Sequence, residues 1–187
     1  MGGILETLRT DHANMARLLN ILERQVSAFR KGEAPDYEIV QGVVEYFLDY
    51  PDLCHHPKED LLARKLLDKA GSKDSAVCGL AEQHEELGVL TRRFATLVRR
   101  VIDEAELPRD YFVRAAKEFI DSQRHHMQME EEYFFPLAEG GLTPQDLAEL
   151  DSELFDKEDP LFGGKVKGRF ETLHNDIVKW ERAEQEG

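Results

Sequence analysis

Apolar residues recur at three- and four-residue steps over four long stretches of the chain, the spacing that lines one face of a helix. The first stretch predicts a helix over about residues 3–30, with Leu8, Met15, Leu19, Leu22, Val26 and Phe29 on its stripe. Residues 32–36 break it. A second helix runs to about Lys69 with Val40, Val44, Phe47, Leu62 and Leu66 inward, and residues 71–75 form the next turn. The third helix reaches about Glu104 through Val77, Leu80, Leu87, Phe94, Val98 and Val101. Pro108 suits the first turn of a fourth, which carries Phe112, Ala116, Phe119, Phe134 and Leu137. Strand-like alternation is nearly absent. Long helices joined by short turns imply antiparallel neighbours, so the chain predicts an all-α, up-down-up-down four-helix bundle. Gly140, Gly141 and Pro144 end the fourth helix, and an acidic connector leads to a fifth helix over about residues 168–183. That helix carries Phe170, Leu173, Ile177 and Trp180 and is expected to lie on the outside of the bundle. The expected division is a bundle over residues 1–140 and an extension over 141–187. Pro51 and Pro57 each remove a backbone hydrogen bond from the second helix, which predicts an irregularity beside His55.

Polar residues interrupt these stripes in a repeated way. His12 lies four residues after Leu8 and three before Met15; His84 lies four after Leu80 and three before Leu87. Two further histidines begin the same short pattern, His55-x-x-x-Glu59 and His126-x-x-x-Glu130, which puts imidazole and carboxylate on one helix face. His84 follows His12 by 72 residues, while His126 follows His55, and Glu130 follows Glu59, by 71. A duplicated helical hairpin would give that near-constant offset. The heights agree too. His12 is 22 residues before the first turn, near residue 34, and His55 is 21 after it. His84 is 22 before the third turn, near residue 106, and His126 is 20 after it. At about 1.5 Å rise per residue each pair matches within roughly 3 Å, so all six residues fall at one level, toward the end with the second turn.

Four histidines and two carboxylates in a core suit a first-row transition metal better than calcium or magnesium. Two carboxylates for four nitrogens suggest a pair of metals bridged by the carboxylates, an arrangement that four-helix bundles accommodate.

Composition narrows the partners. The chain has 187 residues, 41% apolar and 33% charged, enough for one sizeable core. A net charge of −14 argues against nucleic acid or an anionic membrane surface as partner. There is no run of about 18 apolar residues, so no membrane span is expected. The N-terminus lacks the features of a secretory signal, and two cysteines make no disulfide framework. A cytoplasmic location is the default expectation.

Over about residues 5–138 the chain resembles the hemerythrin-type cation-binding domain. The resemblance rests on Asp11-His12, on His55-His56-Pro57-Lys58-Glu59-Asp60, on Gln83-His84-Glu85, and on His126-Met127-Gln128-Met129-Glu130-Glu131 followed by Phe135-Pro136. It implies a non-haem di-iron centre in the bundle: one iron on His12 and His55, the other on His84 and His126, with Glu59 and Glu130 bridging. It further implies a small diatomic or peroxide ligand. The centre would bind or turn over oxygen, nitric oxide or peroxide, or alternatively serve oxygen storage or iron and oxygen sensing without catalysis. The oxygen carriers of the family have a second histidine one turn after the one in the third helix. Gly88 stands there in this chain, which predicts an open position on both irons and favours turnover over carriage.

The remaining candidates read as supporting groups. His56 and His125 neighbour the ligands but face differently, and His174 belongs to the tail helix. Cys54 reads as a small buried residue, Glu85, Glu86, Glu131 and Glu132 as solvated, and Tyr133 equally as a ligand's partner or as packing.

Overall fold

The computed structural model describes residues 3–70, 75–103, 107–153 and 159–185, and all regular structure within them is helical. The first rod is α1 (Ile4–Lys31); the second is α2 (Tyr37–Tyr50), continued by α3 (His56–Ala70). A short α4 (Ser75–Cys78) leads into the third, α5 (Leu80–Ile102). The fourth is α6 (Arg109–Met129), continued by α7 (Phe135–Gly141). α1 packs against α2 and α6, α2 against α5, and α5 against α6, which closes the expected ring. The first turn is well specified. Gly32 takes a left-handed φ of 89° after α1, and the Asp36 carboxylate accepts from the N–H groups of Glu38 and Ile39 to cap α2. A cap of this kind is worth about 1 kcal/mol. The turn from Gly71, the helix end near Glu104 and the Trp180 side chain lie outside the described residues.

The second and fourth rods are each widened by a five-residue π-helical turn, Pro51–His55 and Glu130–Phe134. His56 N–H reaches back to the Pro51 carbonyl, and Phe135 N–H to that of Glu130. In both places a proline follows at once, Pro57 and Pro136. Proline has no N–H for the carbonyl four residues back, and its ring crowds that carbonyl, so the turn before it opens by a residue. The prolines of the second helix predict the first turn. The second lies in a helix that the apolar pattern reads as regular. One extra residue rotates everything beyond it by about 100°. Leu137, expected on the inner stripe, is therefore 37% exposed, and Phe135 and Ala138 are buried instead.

The buried apolar residues form two clusters. The larger, around Met15, Leu19, Phe47, Phe94 and Phe119, fills the end with the α1–α2 turn. The smaller, around Leu8, Leu62, Leu66, Leu80 and Phe134, fills the other end. The predicted histidines and glutamates occupy the layer between them.

Beyond the bundle, the stretch read as an acidic connector contains a helix, α8 (Pro144–Glu153). Its start is a reciprocal cap: the Asp146 carboxylate accepts from the Thr143 N–H and hydroxyl, and the Thr143 oxygen accepts from the Asp146 N–H. Ile4 N–H donates to the Asp151 carboxylate at 2.6 Å and ties α8 to α1. A single 3₁₀ turn, Gly168–Phe170, opens α9 (Glu171–Gln185), which lies on α2 with Phe170, Leu173 and Ile177 buried. This is the fifth helix that the periodicity predicts.

Candidate metal centre

All six predicted residues meet in the layer between the two clusters. Glu59 and Glu130 have no exposed surface, and His12, His55, His84 and His126 are buried around them. Glu59 Oε1 lies 3.2 Å from His55 Nε2 and 3.8 Å from His12 Nε2, while its Oε2 lies 3.3 Å from His84 Nε2. Glu130 Oε2 lies 3.3 Å from His12 Nε2, while its Oε1 lies 3.1 Å from His126 Nε2 and 3.6 Å from His84 Nε2. Each glutamate thus divides its two oxygens between the two histidine pairs. His12 and His55 bring their Nε2 atoms to 3.0 Å of each other.

These approaches are close but do not satisfy the groups. Seven buried side-chain polar atoms among the described residues have no hydrogen-bond partner, and all belong to Glu59, Glu130, His84 and His126. Leaving a carboxylate dry and unbonded is costly, and native cores rarely tolerate it. A cation at the point of convergence removes the penalty. Two overlapping groups have the compactness of a coordination sphere. One is His12, His55, Glu59 and Glu130; the other is His56, Glu59, His84 and His126. In each, one ligand atom per residue lies within 4.8 Å of the rest. Glu59 is common to both.

The outer face of each imidazole is also held. His55 Nδ1 lies 3.1 Å from Asp11 Oδ2, His12 Nδ1 lies 2.9 Å from Glu131 Oε1, and His126 Nδ1 lies 3.3 Å from Gln83 Oε1. His84 Nδ1 faces Asp60 Oδ1 at 3.6 Å. Such contacts fix ring orientation and turn Nε2 inward. Each supporting residue is adjacent in sequence to one of the six predicted residues yet holds a different one: Asp11 precedes His12 and holds His55. Glu131 follows Glu130 and holds His12. Gln83 precedes His84 and holds His126. Glu131 is thus not simply a solvated face. Asp11 is the most heavily supported, accepting also from Tyr50 Oη at 3.0 Å and from the buried Lys58 Nζ at 3.1 Å. Burial opposes its ionisation, but His55 and Lys58 outweigh that and hold its carboxyl below the usual range. Asp11→Asn is expected to weaken metal binding roughly 10–100-fold, read by competition with a chelator. An unchanged affinity would remove Asp11 from this role.

The centre is electrostatically primed for positive charge. Burial disfavours protonation of His55, yet Glu59 and Asp11 outweigh it and push the imidazole up to about 10. His84 behaves alike: against burial, Glu130 and Glu59 raise it to about 9. Glu130 is held well below its ordinary value and Glu59 below it, against burial, by the surrounding imidazoles. A cation bound there would compete with protons for one position. A raised histidine stabilises the fold fully below its unfolded value of 6.5 and loses that contribution as pH climbs through the folded value. Chelator-treated protein is thus expected to lose melting temperature between about 6.5 and about 10, where His84 and then His55 give up their protons. A flat profile over that window contradicts the assignment.

Other candidates fall elsewhere. His125 and Tyr133 are exposed. His174 approaches the Leu161 carbonyl in the extension, away from the centre. Cys54 is half-buried against the larger apolar cluster. His56, expected to face away, is buried with its ring on that of His84. The π turn that ends at His55 widens the helix there and brings both neighbours inward.

A family model for the hemerythrin HHE cation binding domain matches residues 3–138. No curated protein matches the chain. No helix among the described residues is long and apolar enough to cross a membrane.

Proposed function

The chain belongs to the hemerythrin HHE cation-binding family, and from that premise we propose that it is a non-haem di-iron protein whose centre binds or reacts with a small molecule such as oxygen, nitric oxide or peroxide. His12 and His55 would hold one iron and His84 and His126 the other, with Glu59 and Glu130 offering an oxygen to each. The division of each glutamate's oxygens between the two histidine pairs carries this reading. Iron bound there would supply one-electron redox chemistry and Lewis acidity. The chain's own residues supply position and environment. Asp11, Glu131 and Gln83 fix three imidazoles. The buried Phe135 ring stacks on His12 with centroids 5.2 Å apart and covers that side of the imidazole. Residues 1–140 read as the unit that holds the centre and residues 141–187 as an extension, whose α8 packs on α1 and whose α9 packs on α2.

Optical spectroscopy of the iron-loaded protein tests the reactivity directly. Addition of nitric oxide or peroxide to the reduced protein is expected to change the iron absorption, and Glu59→Ala is expected to abolish the change. A spectrum indifferent to oxygen, nitric oxide and peroxide alike would overturn the small-molecule role.

A further inference from the structure

We propose that His56 is a fifth histidine ligand of this centre, serving the ion held by His84 and His126 and supplying the nitrogen that Gly88 on α5 cannot. The inference rests on the di-metal reading above.

Three observations carry it. First, a ring nitrogen of His56 lies within 4.8 Å of ligand atoms from Glu59, His84 and His126, and all four residues are buried. An ion with bonds of about 2.1 Å spans roughly 4 Å between opposite ligands, so the group has nearly that size before any side chain moves. Second, His56 is held as the other imidazoles are. Its Nδ1 lies 3.2 Å from Asp52 Oδ1, one helical turn earlier, which leaves Nε2 unclaimed by that contact. Third, the space beside Gly88 is used. A Cβ there would stand 3.1 Å from Arg92 Nη1 and 3.6 Å from Asp52 Oδ2. Glycine on α5 thus leaves room for the Arg92 guanidinium, next to the carboxylate that orients His56. The absent side chain on α5 and the added histidine beside α3 are two parts of one arrangement. His56 now stacks flat on His84, ring centroids 3.9 Å apart and 10° between planes, so ligation requires its ring to tilt while Nδ1 keeps Asp52.

With His56 as a ligand, the open position expected at both ions from Gly88 remains at one of them only. The two ions are not equivalent: His84, His126 and His56 give one of them three nitrogens, and His12 and His55 give the other two.

The test is a titration of the chelator-stripped full chain with cobalt(II), a spectroscopic probe of coordination number, in wild type, His56→Phe, Asp52→Ala and His84→Phe. Phenylalanine keeps the ring on His84 but removes the nitrogen. His56→Phe is expected to bind one of the two ions at least 10–100-fold more weakly, with more intense cobalt absorption at that ion as its coordination number falls. Asp52→Ala, at a partly exposed position, is expected to cause a smaller loss, and Gly88→His added to His56→Phe is expected to restore affinity from α5. If His84→Phe weakens binding while His56→Phe matches wild type in both affinity and spectrum, the His56 assignment is overturned and the di-metal reading stands. If His84→Phe also matches wild type, the di-metal reading itself fails, and His56 with it. Circular dichroism of each variant separates loss of a ligand from loss of the fold, and if His56→Phe does not fold, Asp52→Ala with unchanged affinity and spectrum overturns the proposal in its place.

Discussion

Glu130→Ala is expected to strip metal from both halves of the centre. The loss of affinity should exceed the roughly 10–100-fold that follows removal of a group which merely orients a ligand. The reason is geometric. Oε2 of Glu130 faces His12, and Oε1 faces His126 and His84, so one side chain serves both positions. Truncation also leaves imidazoles raised by that carboxylate, His84 foremost, without their counter-charge in a dry layer. Glu59→Ala is expected to act alike, since its oxygens divide in the same manner. His125→Ala, at an exposed position one residue from a ligand, is expected to change nothing. Elemental analysis after desalting reads all three. Full occupancy in Glu130→Ala, or a loss in His125→Ala matching it, would show that the helix phase around residue 126 has been assigned wrongly.

Removing the metal is expected to lower thermal stability substantially. Anything that binds only the native state adds RT ln(1 + [L]/Kd), about 4 kcal/mol at a free concentration a thousandfold above Kd. For a chain of this size each kcal/mol moves the melting temperature by about 2–4 °C, so a shift of roughly 8–16 °C is expected. The stripped protein should nonetheless remain helical near neutral pH. Two apolar clusters flank the polar layer, and protons on His55 and His84 partly replace the cations there. Equal melting temperatures for chelated and loaded protein would contradict this.

Much of the layout was legible in the chain itself. The 3–4 apolar spacing identifies the four rods because helix periodicity survives wherever the backbone is regular. The 71- and 72-residue offsets identify the six converging groups because a duplicated hairpin preserves height. What escaped that reasoning lies where the period breaks. Pro136 opens a π turn that rotates Leu137 outward and Ala138 inward, and the turn at Pro51–His55 brings His56 in beside His55. A strict 100° wheel puts those residues on the wrong faces. α8 was hidden by its acidic composition, although Thr143-Pro144-Gln145-Asp146 carries the cap and first-turn proline of a helix start. The partners Asp11, Glu131 and Gln83 sit beside converging residues in sequence, but each reaches across to another helix. Adjacency alone cannot assign such pairs; they depend on how the rods face one another.

The measurement that bears most directly on the central claim is anaerobic titration of the stripped chain with iron(II), followed by absorption and confirmed by metal analysis. The account predicts saturation at two irons per chain, with the titration in Glu59→Ala and Glu130→Ala failing at both. Saturation at a single ion, or binding that persists unaltered in both glutamate variants, would contradict it.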